Sequence, residues 1–343
     1  MRGRELSRSF YEHLVAPLVD GVPHSAALLG DGSEVLGFDD DVSTDYDFGA
    51  RLTLFLPQSV DPSPVHEALD ALPESFKGFP VERRLVEVVS APAYFTERIG
   101  VDPADGMSLA DWLLAPTQRL ATLVEGPVFQ DRAQLLEGRR AALRWYPPDV
   151  WRYVLAAGWL RIAREEAFVG RTGMLGDALG STVASARVAR DLMRLAFLVE
   201  RRWAPYGKWL GTAFARLPVA PRVAPHLHAA LHARAWRARE AALNAAAGAL
   251  AAATNRLGLA EEVDPAPRQF HARDIQVLDA ARLTNALVAR IADPEVRALV
   301  ERLGPRHDGA VGRLPGAVDQ AVDSAEILMD PPSCRALAPV LGL

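Results

Sequence analysis

After the proline pair Pro147-Pro148, long stretches of alanine, leucine and arginine dominate the chain. Their apolar residues recur every three to four positions, the spacing that gives a helix one apolar face. The helices expected on this pattern cover residues 150–169, 177–203 and 225–257. Glycines at 170–176 and prolines at 218–225 predict breaks between them. The sequence therefore predicts an all-α helical bundle over residues 146–343.

The first 145 residues have a different pattern, in which short apolar runs alternate with turn residues. Apolar, β-branched and aromatic runs bounded by turn residues are typical of strands. The strands expected there cover residues 26–29, 51–56 and 81–89. The helices expected there cover residues 6–19, 64–72 and 108–124. We expect an α+β domain at residues 1–145 with a small mixed sheet.

The length of 343 residues favours two domains, and the net charge of −5 narrows the choice of partners. No global basic field draws such a chain to nucleic acid or to an anionic membrane, so we expect neither partner. Cys334 is the single cysteine, which excludes a disulfide within the chain and fits a cytoplasmic protein. We expect no signal peptide and no stretch apolar enough to span a bilayer.

Two aspartates, Asp45 and Asp47, stand just ahead of the strand expected at residues 51–56. If this stretch is extended, alternate side chains share a face, and the two Cβ atoms lie roughly 6–7 Å apart. Both carboxylates then reach a hard cation such as Mg²⁺, or a pair of such ions. The competing interpretation is that both are turn residues in a polar loop.

A third carboxylate is expected on a neighbouring strand, and Glu87 is the best candidate because Val86 and Val88 flank it. A carboxylate in an otherwise apolar strand costs free energy unless it has a partner, such as a metal or a hydroxyl awaiting deprotonation. Glu82 is the alternative, but it lies beside two arginines and is more typical of a solvated position.

An apolar run at residues 26–29 leads into the small-residue turn Gly30-Asp31-Gly32-Ser33. Glycine lets the backbone approach a phosphate closely, and serine adds a hydroxyl donor. The turn is not a P-loop, because no Gly-Lys-Ser/Thr follows, and it is not a dinucleotide fingerprint.

Gly32-Ser33, eleven residues, Asp45-x-Asp47 and the later Glu87 together resemble the signature of the DNA polymerase beta-like nucleotidyltransferase superfamily. Longer stretches, at residues 32–40, 45–56, 165–171 and 208–217, resemble a bacterial group catalogued as domain of unknown function 4037. Aminoglycoside and lincosamide nucleotidyltransferases, which pair a catalytic domain with a helical one, are more distantly similar.

The resemblance implies a nucleotidyltransferase fold at residues 1–145 and a helical domain for substrate or acceptor at 146–343. It implies that Gly32 and Ser33 hold the nucleotide phosphates and that Asp45 and Asp47 ligate Mg²⁺, with two ions expected. Glu87 would be a third ligand or the general base. The implied reaction moves a nucleoside monophosphate from a nucleoside triphosphate to a hydroxyl or amine of a small molecule, with release of pyrophosphate.

Cations beyond Mg²⁺ are expected at the leaving pyrophosphate, and Arg51 and Lys208 are the candidates. Arg51 follows the acidic pair closely, so it either contacts phosphate or pairs with the aspartates at residues 39–41. Lys208 is one of only two lysines. A surface lysine whose stem packs on apolar groups is the more ordinary explanation for it, and phosphate contact is the alternative.

Glu165 and Glu166 are expected near the carboxyl end of a helix, where acidic residues oppose the helix dipole. One of them is therefore a candidate for holding a cationic acceptor. A salt bridge with Arg161 or Arg171 is the more ordinary alternative.

Three functions compete on these residues. The first is transfer to a small molecule, which the acid-rich loops favour if the acceptor is cationic. The second is transfer to tRNA or protein, which the lack of a strongly basic face disfavours for tRNA. The third is a non-catalytic module that binds a nucleotide; the presence of all three carboxylates argues against it.

Overall fold

The computed structural model describes residues 2–39, 49–304 and 311–343, which divide into two compact units. The first unit combines Met1–Asp111 and Ala115–Arg144 with Met329–Arg335, and the rest of the chain forms the second. Two of the predicted metal ligands, Asp45 and Asp47, lie outside the described residues. The two contiguous domains expected from the sequence, residues 1–145 and 146–343, stay a prediction. Each unit draws its residues from several separate parts of the chain, and neither unit is shown to fold alone.

Helices predominate in the described chain, and the strands are short. The strands are β1 (Ser25–Ala27), β2 (Leu52–Leu56), β3 (Ser75–Phe76), β4 (Phe79–Pro80), β5 (Val86–Ser90), β6 (Val128–Gln130), β7 (Arg268–Gln269) and β8 (Gln276–Val277). The helices up to the end of the sheet are α1 (Gly3–Phe10), α2 (Ala16–Leu18), α3 (Ser33–Leu36), α4 (Ser63–Leu69), α5 (Ala91–Ile99), α6 (Leu109–Leu114), α7 (Thr117–Val124) and α8 (Glu137–Ala142). The later helices are α9 (Pro148–Glu165), α10 (Phe168–Met174), α11 (Ala178–Val199), α12 (Leu210–Phe214), α13 (Ala220–His232), α14 (Trp236–Arg256), α15 (Ala281–Val288), α16 (Pro294–Leu303), α17 (Val318–Ala321), α18 (Ala325–Leu328), α19 (Pro331–Ala336) and α20 (Ala338–Leu341). A π-helical turn at Tyr11–Val15 joins α1 to α2.

The first unit is built on a four-stranded mixed sheet of order β5-β2-β1-β6. β1 is antiparallel to both of its neighbours, and β2 is parallel to β5. All five residues of β2 are buried, as expected for a central strand covered on both faces. Leu6 and Phe10 of α1 pack in the core on one side, and Tyr94 of α5 contacts Phe55 of β2 edge-to-face. The α+β class and the small mixed sheet predicted from the sequence are confirmed.

Two expected elements of this unit are wrong in detail. The single helix expected at residues 108–124 is two helices, α6 and α7, because Pro116 has no N–H and the preceding Ala115 is extended, with ψ 113°. The strand expected at residues 81–89 starts only at Val86, since Arg83–Leu85 form a 3₁₀ turn.

The second unit is mainly helical, with α9, α11 and α14 as its long helices. It also contains the short antiparallel strand pair β7–β8, so the expectation that this part of the chain is all-α is wrong. The break expected at residues 170–176 is instead mostly the short helix α10. The proline-rich break at 218–225 is displaced, because residues 215–219 separate α12 from α13, and α13 begins at Ala220 and continues through Pro225. Over the described residues, no helix combines the length and the apolar character needed to cross a membrane.

Candidate functional site

The strand order brings three predicted site segments to one end of the sheet. Because β1 and β2 are antiparallel, the chain leaves β1 towards the glycine turn where it enters β2. Because β5 is parallel to β2, it also begins at this end, and Glu87 stands directly beside Thr53, which pairs with Ala27. The glycine turn, the entry to β2 and Glu87 are therefore neighbours in the first unit.

A cavity of about 900 Å³ opens at this end of the sheet. Its charged lining, among the described residues, consists of Arg51, Arg84, Arg98, Arg119, Arg335, Asp31, Glu87, Glu97 and Asp330. The uncharged lining includes Gly30 of the glycine turn and Thr53 of β2. All of these residues belong to the first unit. Five arginines against four carboxylates give a polar wall with nearly balanced charge.

Glu87 points a half-exposed carboxylate into this cavity, with 38% of its side chain accessible. Arg98 of α5 approaches both carboxylate oxygens at 3.3–3.4 Å, and the Thr53 hydroxyl donates at 3.4 Å. These distances are longer than the 2.7–2.9 Å typical of strong charge-assisted hydrogen bonds. The partner that Glu87 was expected to need is thus present in the protein itself, and it holds the carboxylate loosely.

Arg98 is itself fixed against a buried aromatic ring. Its guanidinium lies 3.4 Å from the ring centroid of Tyr94, a cation–π contact. Tyr94 is fully buried, and burial raises the pKa of its hydroxyl far above the ordinary value. A Cβ added to Gly30 would lie 3.0 Å from the Tyr94 hydroxyl oxygen, so only glycine lets the turn pass this close.

The predicted phosphate-binding pair, Gly32 and Ser33, begins the short helix α3. Gly32 has φ 145°, a conformation essentially restricted to glycine, and a Cβ there would lie 2.5 Å from Glu34 and 2.7 Å from Arg51. Glu34 and Arg51 form an ion pair at 2.8 Å. Of the two alternatives for Arg51, pairing with the nearby aspartates is wrong for Asp39, which instead accepts a hydrogen bond from the Gly3 backbone N–H.

Arg119 links the glycine turn to the C-terminal segment of the unit. Its guanidinium contacts both carboxylate oxygens of Asp31 at 3.1–3.2 Å and donates to the Met329 carbonyl oxygen at 2.5 Å. Arg335 donates to the Gly100 carbonyl oxygen and to Asp111, each at 2.8 Å. The segment 329–335 therefore forms one wall of the cavity through two arginine contacts.

Lys208 lies in the second unit, where its Nζ is 5.0 Å from the ring centroid of Trp209. It is exposed, and packing of its stem and charge on an aromatic ring agrees with the ordinary surface interpretation. Its expected phosphate contact stays a prediction.

Glu165 and Glu166 also lie in the second unit and have different surroundings. Glu165 pairs with Arg187 at 3.3 Å, so the salt bridges expected with Arg161 or Arg171 are wrong. Glu166 is largely buried and accepts a hydrogen bond from the Ala280 N–H at 3.2 Å. Burial raises the pKa of Glu166 to about 8, although backbone N–H groups oppose the shift.

The donor atoms of this cavity decide whether it suits a metal ion. Among the described residues, no group of three or more His, Cys, Asp or Glu side chains is placed to hold a metal ion. Glu87 suits a hard cation as one ligand, because its carboxylate is accessible from the cavity and only loosely held. Further ligands would have to come from Asp45 and Asp47, which lie outside the described residues.

Comparison with known proteins gives one family match. Residues 112–210 match the family described as domain of unknown function (DUF4037). This range covers less than half of the chain and does not include β1, β2 or β5, so it carries no information on the glycine turn or Glu87. No curated protein matches the chain.

Sequence reasoning missed several residues of the cavity wall. Arg98, Arg119 and Arg335 escaped notice because arginine is frequent throughout the chain. Arg119 carried a usable signal, since it is the only charged residue of the apolar helix α7. Glu34 was overlooked because its role depends on Arg51, which reaches it only in the folded unit.

Proposed function

We propose that this protein is an Mg²⁺-dependent nucleotidyltransferase that moves a nucleoside monophosphate from a nucleoside triphosphate to a hydroxyl or amine of a small molecule. The observation that carries the proposal is the meeting of the glycine turn, the entry to β2 and Glu87 at one arginine-lined cavity. This arrangement agrees with the DNA polymerase beta-like resemblance of the sequence, in which these three segments carry the phosphate-binding and acidic motifs.

In the proposed reaction, the acceptor oxygen or nitrogen attacks the α-phosphorus and forms the new bond there. The bond from the α-phosphorus to the oxygen that bridges to the β-phosphate breaks, and pyrophosphate leaves with that oxygen. The acceptor proton passes to Glu87 or to water. Mg²⁺, held by Asp45, Asp47 and Glu87, would offset the negative charge of the reacting phosphates.

The charges of the cavity wall favour binding of a metal-bound nucleotide over binding of a triphosphate without a metal. Arg51, Arg98 and Arg119 each already contact a carboxylate at 2.8–3.3 Å, so the positive potential left for an anion is modest. A nucleotide that carries Mg²⁺ has less charge to neutralise and suits such a wall. Arg119 and Arg51 are the groups best placed to contact the outgoing phosphates, since both adjoin the glycine turn.

Pyrophosphate release from the full chain tests the proposal, measured with Mg²⁺, each of the four ribonucleoside triphosphates and a panel of small hydroxyl and amine acceptors. The variant Asp45→Asn/Asp47→Asn should lower the rate at least ~10³-fold, because charge neutralisation and positioning supply most of the acceleration. Asp20→Asn/Asp70→Asn removes the same charge from exposed positions and should keep the rate. Full activity in the first variant would contradict the mechanism.

A non-catalytic nucleotide-binding module is the second candidate, and one observation favours it. Arg98 already occupies the Glu87 carboxylate, as expected where that carboxylate has only a structural role. Calorimetry distinguishes the two functions. Saturable, Mg²⁺-dependent binding of a triphosphate that stays intact over hours with every acceptor would support the module, and turnover would exclude it.

A further inference from the structure

A second cavity, of about 690 Å³, lies wholly within the helical unit. Residues of α9 and α11 and residues 312–321 line most of it. Its charged side chains, among the described residues, are Arg161, Arg164, Arg187, Arg313 and Glu165. Four guanidinium groups around one carboxylate make a positive cavity in a chain whose net charge is −5.

The charges of this cavity are only partly compensated. Arg161 pairs with Asp191 at 2.9 Å, and Arg187 pairs with Glu165 at 3.3 Å. Arg164 donates to the carbonyl oxygen of Gly312 at 2.6 Å and forms no ion pair with a described residue. Arg313 is exposed and likewise has no acidic partner in the described part of the chain. Within the described part of the chain, two positive charges therefore remain for a ligand.

The positive charge of these arginines also affects the pKa of a neighbouring carboxyl group, that of Asp323. Burial raises the pKa of Asp323, but a hydrogen bond from Arg190 and the charges of Arg190, Arg194 and Arg161 outweigh it. The pKa of Asp323 therefore lies below its ordinary value. Arginines on α9 and α11 thus act together on this side of the unit.

Most of the uncharged lining of the cavity is apolar, with the Gln320 amide as its polar side chain. Leu160, Leu314, Pro315 and Val340 are among its apolar lining residues. The lining backbone is fixed because Arg161 donates to the Gln320 carbonyl oxygen at 2.6 Å, and the Gln320 amide donates to the Val154 carbonyl oxygen at 2.9 Å. A cavity that joins spare guanidinium groups to a fixed apolar surface suits a ligand with a charged head and an apolar body.

We propose that this cavity binds a small organic anion, a phosphate or carboxylate attached to an apolar or aromatic body, with Arg164 and Arg313 holding the anionic group. No residue that lines this cavity lines the cavity of the first unit, and the proposal does not depend on nucleotidyl transfer. The excess of positive charge around Glu165 favours an anion over a cationic acceptor at this cavity, and the expected acceptor role of Glu165 stays a prediction.

Phenyl phosphate is the probe, titrated into the full chain by calorimetry without Mg²⁺ or nucleotide. Arg164→Gln/Arg313→Gln should weaken binding roughly tenfold or more, because two charge-assisted contacts are lost. Arg222→Gln/Arg234→Gln removes the same charge from exposed positions of the same unit and should change the dissociation constant less than about twofold. Phenyl phosphate binding should compete with benzoate and with inorganic phosphate, the latter binding more weakly.

Hydrogen exchange locates the site independently of affinity. Phenyl phosphate should slow exchange at residues 157–165 and 311–321 and leave β1, β2 and β5 unchanged. Protection at β1, β2 and β5 instead, or equal weakening in both arginine variants, would overturn the proposal. The absence of saturable binding would overturn it as well. None of these results bears on pyrophosphate release, so this proposal and the proposed function fail separately.

Discussion

At the scale of single residues, Glu166 carries an ionisable carboxyl into the interior of the second unit. Its pKa rises from 4.5 to about 8 on folding. Ionisation of Glu166 therefore destabilises the folded protein increasingly as the pH rises between these values. Glu166→Gln keeps an oxygen for the Ala280 N–H and removes this cost. The variant should be more stable than the parent at pH 8.5, by roughly 4–5 kcal/mol, and within about 0.5 kcal/mol of it near pH 4.5. Urea denaturation at the two pH values measures the difference.

The neighbouring Glu165 provides the matched control for this effect. Its carboxylate pairs with the half-exposed Arg187, so Glu165→Gln should cost less than about 1 kcal/mol and should not stabilise the protein at high pH. A Glu166→Gln variant that is less stable than the parent at pH 8.5 would mean that its backbone hydrogen bonds, and not burial, dominate the environment of that carboxyl.

Gly32 is the second residue whose role can be tested alone. Gly32→Ala forces a Cβ into a glycine-only conformation and against the Glu34–Arg51 ion pair. Gly78→Ala is the control, since Gly78 also has a positive φ, of 84°, but open space around it. The control should cost about 1 kcal/mol and Gly32→Ala roughly 2–3 kcal/mol in denaturant unfolding. Equal costs would show that the ion pair simply moves aside.

The limits of sequence reasoning are plain at this scale for Glu87. Its two valine neighbours predicted a buried strand and a need for a partner, and the strand is present. The partner could not be predicted, because Arg98 reaches Glu87 only after the chain has turned from β5 into α5. Gly32 was singled out correctly as special, but its backbone conformation and its two neighbours emerge only from the fold.

At the scale of elements, one ion pair ties α8 to the 3₁₀ turn Pro103–Asp105. Asp102 and Arg139 are both nearly buried, with nitrogen–oxygen distances of 2.6–2.7 Å. Burial raises the pKa of Asp102, but the hydrogen bonds from Arg139 and from the Ala104 N–H lower the pKa by more. The pKa of Asp102 therefore lies below its ordinary value of 3.8. Asp102→Asn should therefore cost about 3 kcal/mol at pH 7, because it leaves a buried guanidinium without its counter-charge.

The sign of the Asp102 effect sets its pH dependence. A lowered pKa stabilises the folded state above pH 3.8, and that contribution is lost as the pH falls through the folded-state value. The parent and Asp102→Asn should thus converge in acid. Glu82→Gln breaks the exposed pair with Arg84 and should cost less than about 0.5 kcal/mol at any pH. A constant gap between the parent and Asp102→Asn from pH 7 to pH 2 would contradict this account.

Elements were predictable where the pattern is long and local. α9 and α11 follow their apolar periodicity closely, and Asp177 caps α11 by accepting from the Gly180 N–H. The failures occur at glycine and proline. Pro116 divides a helix that periodicity alone joins, whereas Pro225 is tolerated inside α13. Apolar periodicity does not show whether the packing of a helix face outweighs the hydrogen bond that a proline removes.

At the scale of the molecule, the interleaving of the two units was beyond the sequence pattern. Met329–Arg335 belongs to the first unit although it follows nearly all of the second. Local patterns do not report pairings over two hundred residues, such as Arg335 with Asp111 or Arg119 with Met329. The strand order that brings the segments of the candidate site together likewise depends on long-range pairing. Only the presence of the individual segments could be predicted from the sequence.

Truncation of the chain tests whether the first unit requires the segment Met329–Arg335. A chain ending at residue 328 loses the Arg335 contacts, the Arg119–Met329 contact and the buried Cys334. It should melt several degrees lower, since about 1–2 kcal/mol shifts the midpoint by that much, and amides of α5 and α7 should exchange faster. A chain ending at residue 337 keeps the segment but lacks α20 of the second unit, so its α5 and α7 should exchange as in the full chain. Equal exchange in α5 and α7 of the two truncated chains would show that Met329–Arg335 covers the cavity without stabilising the unit.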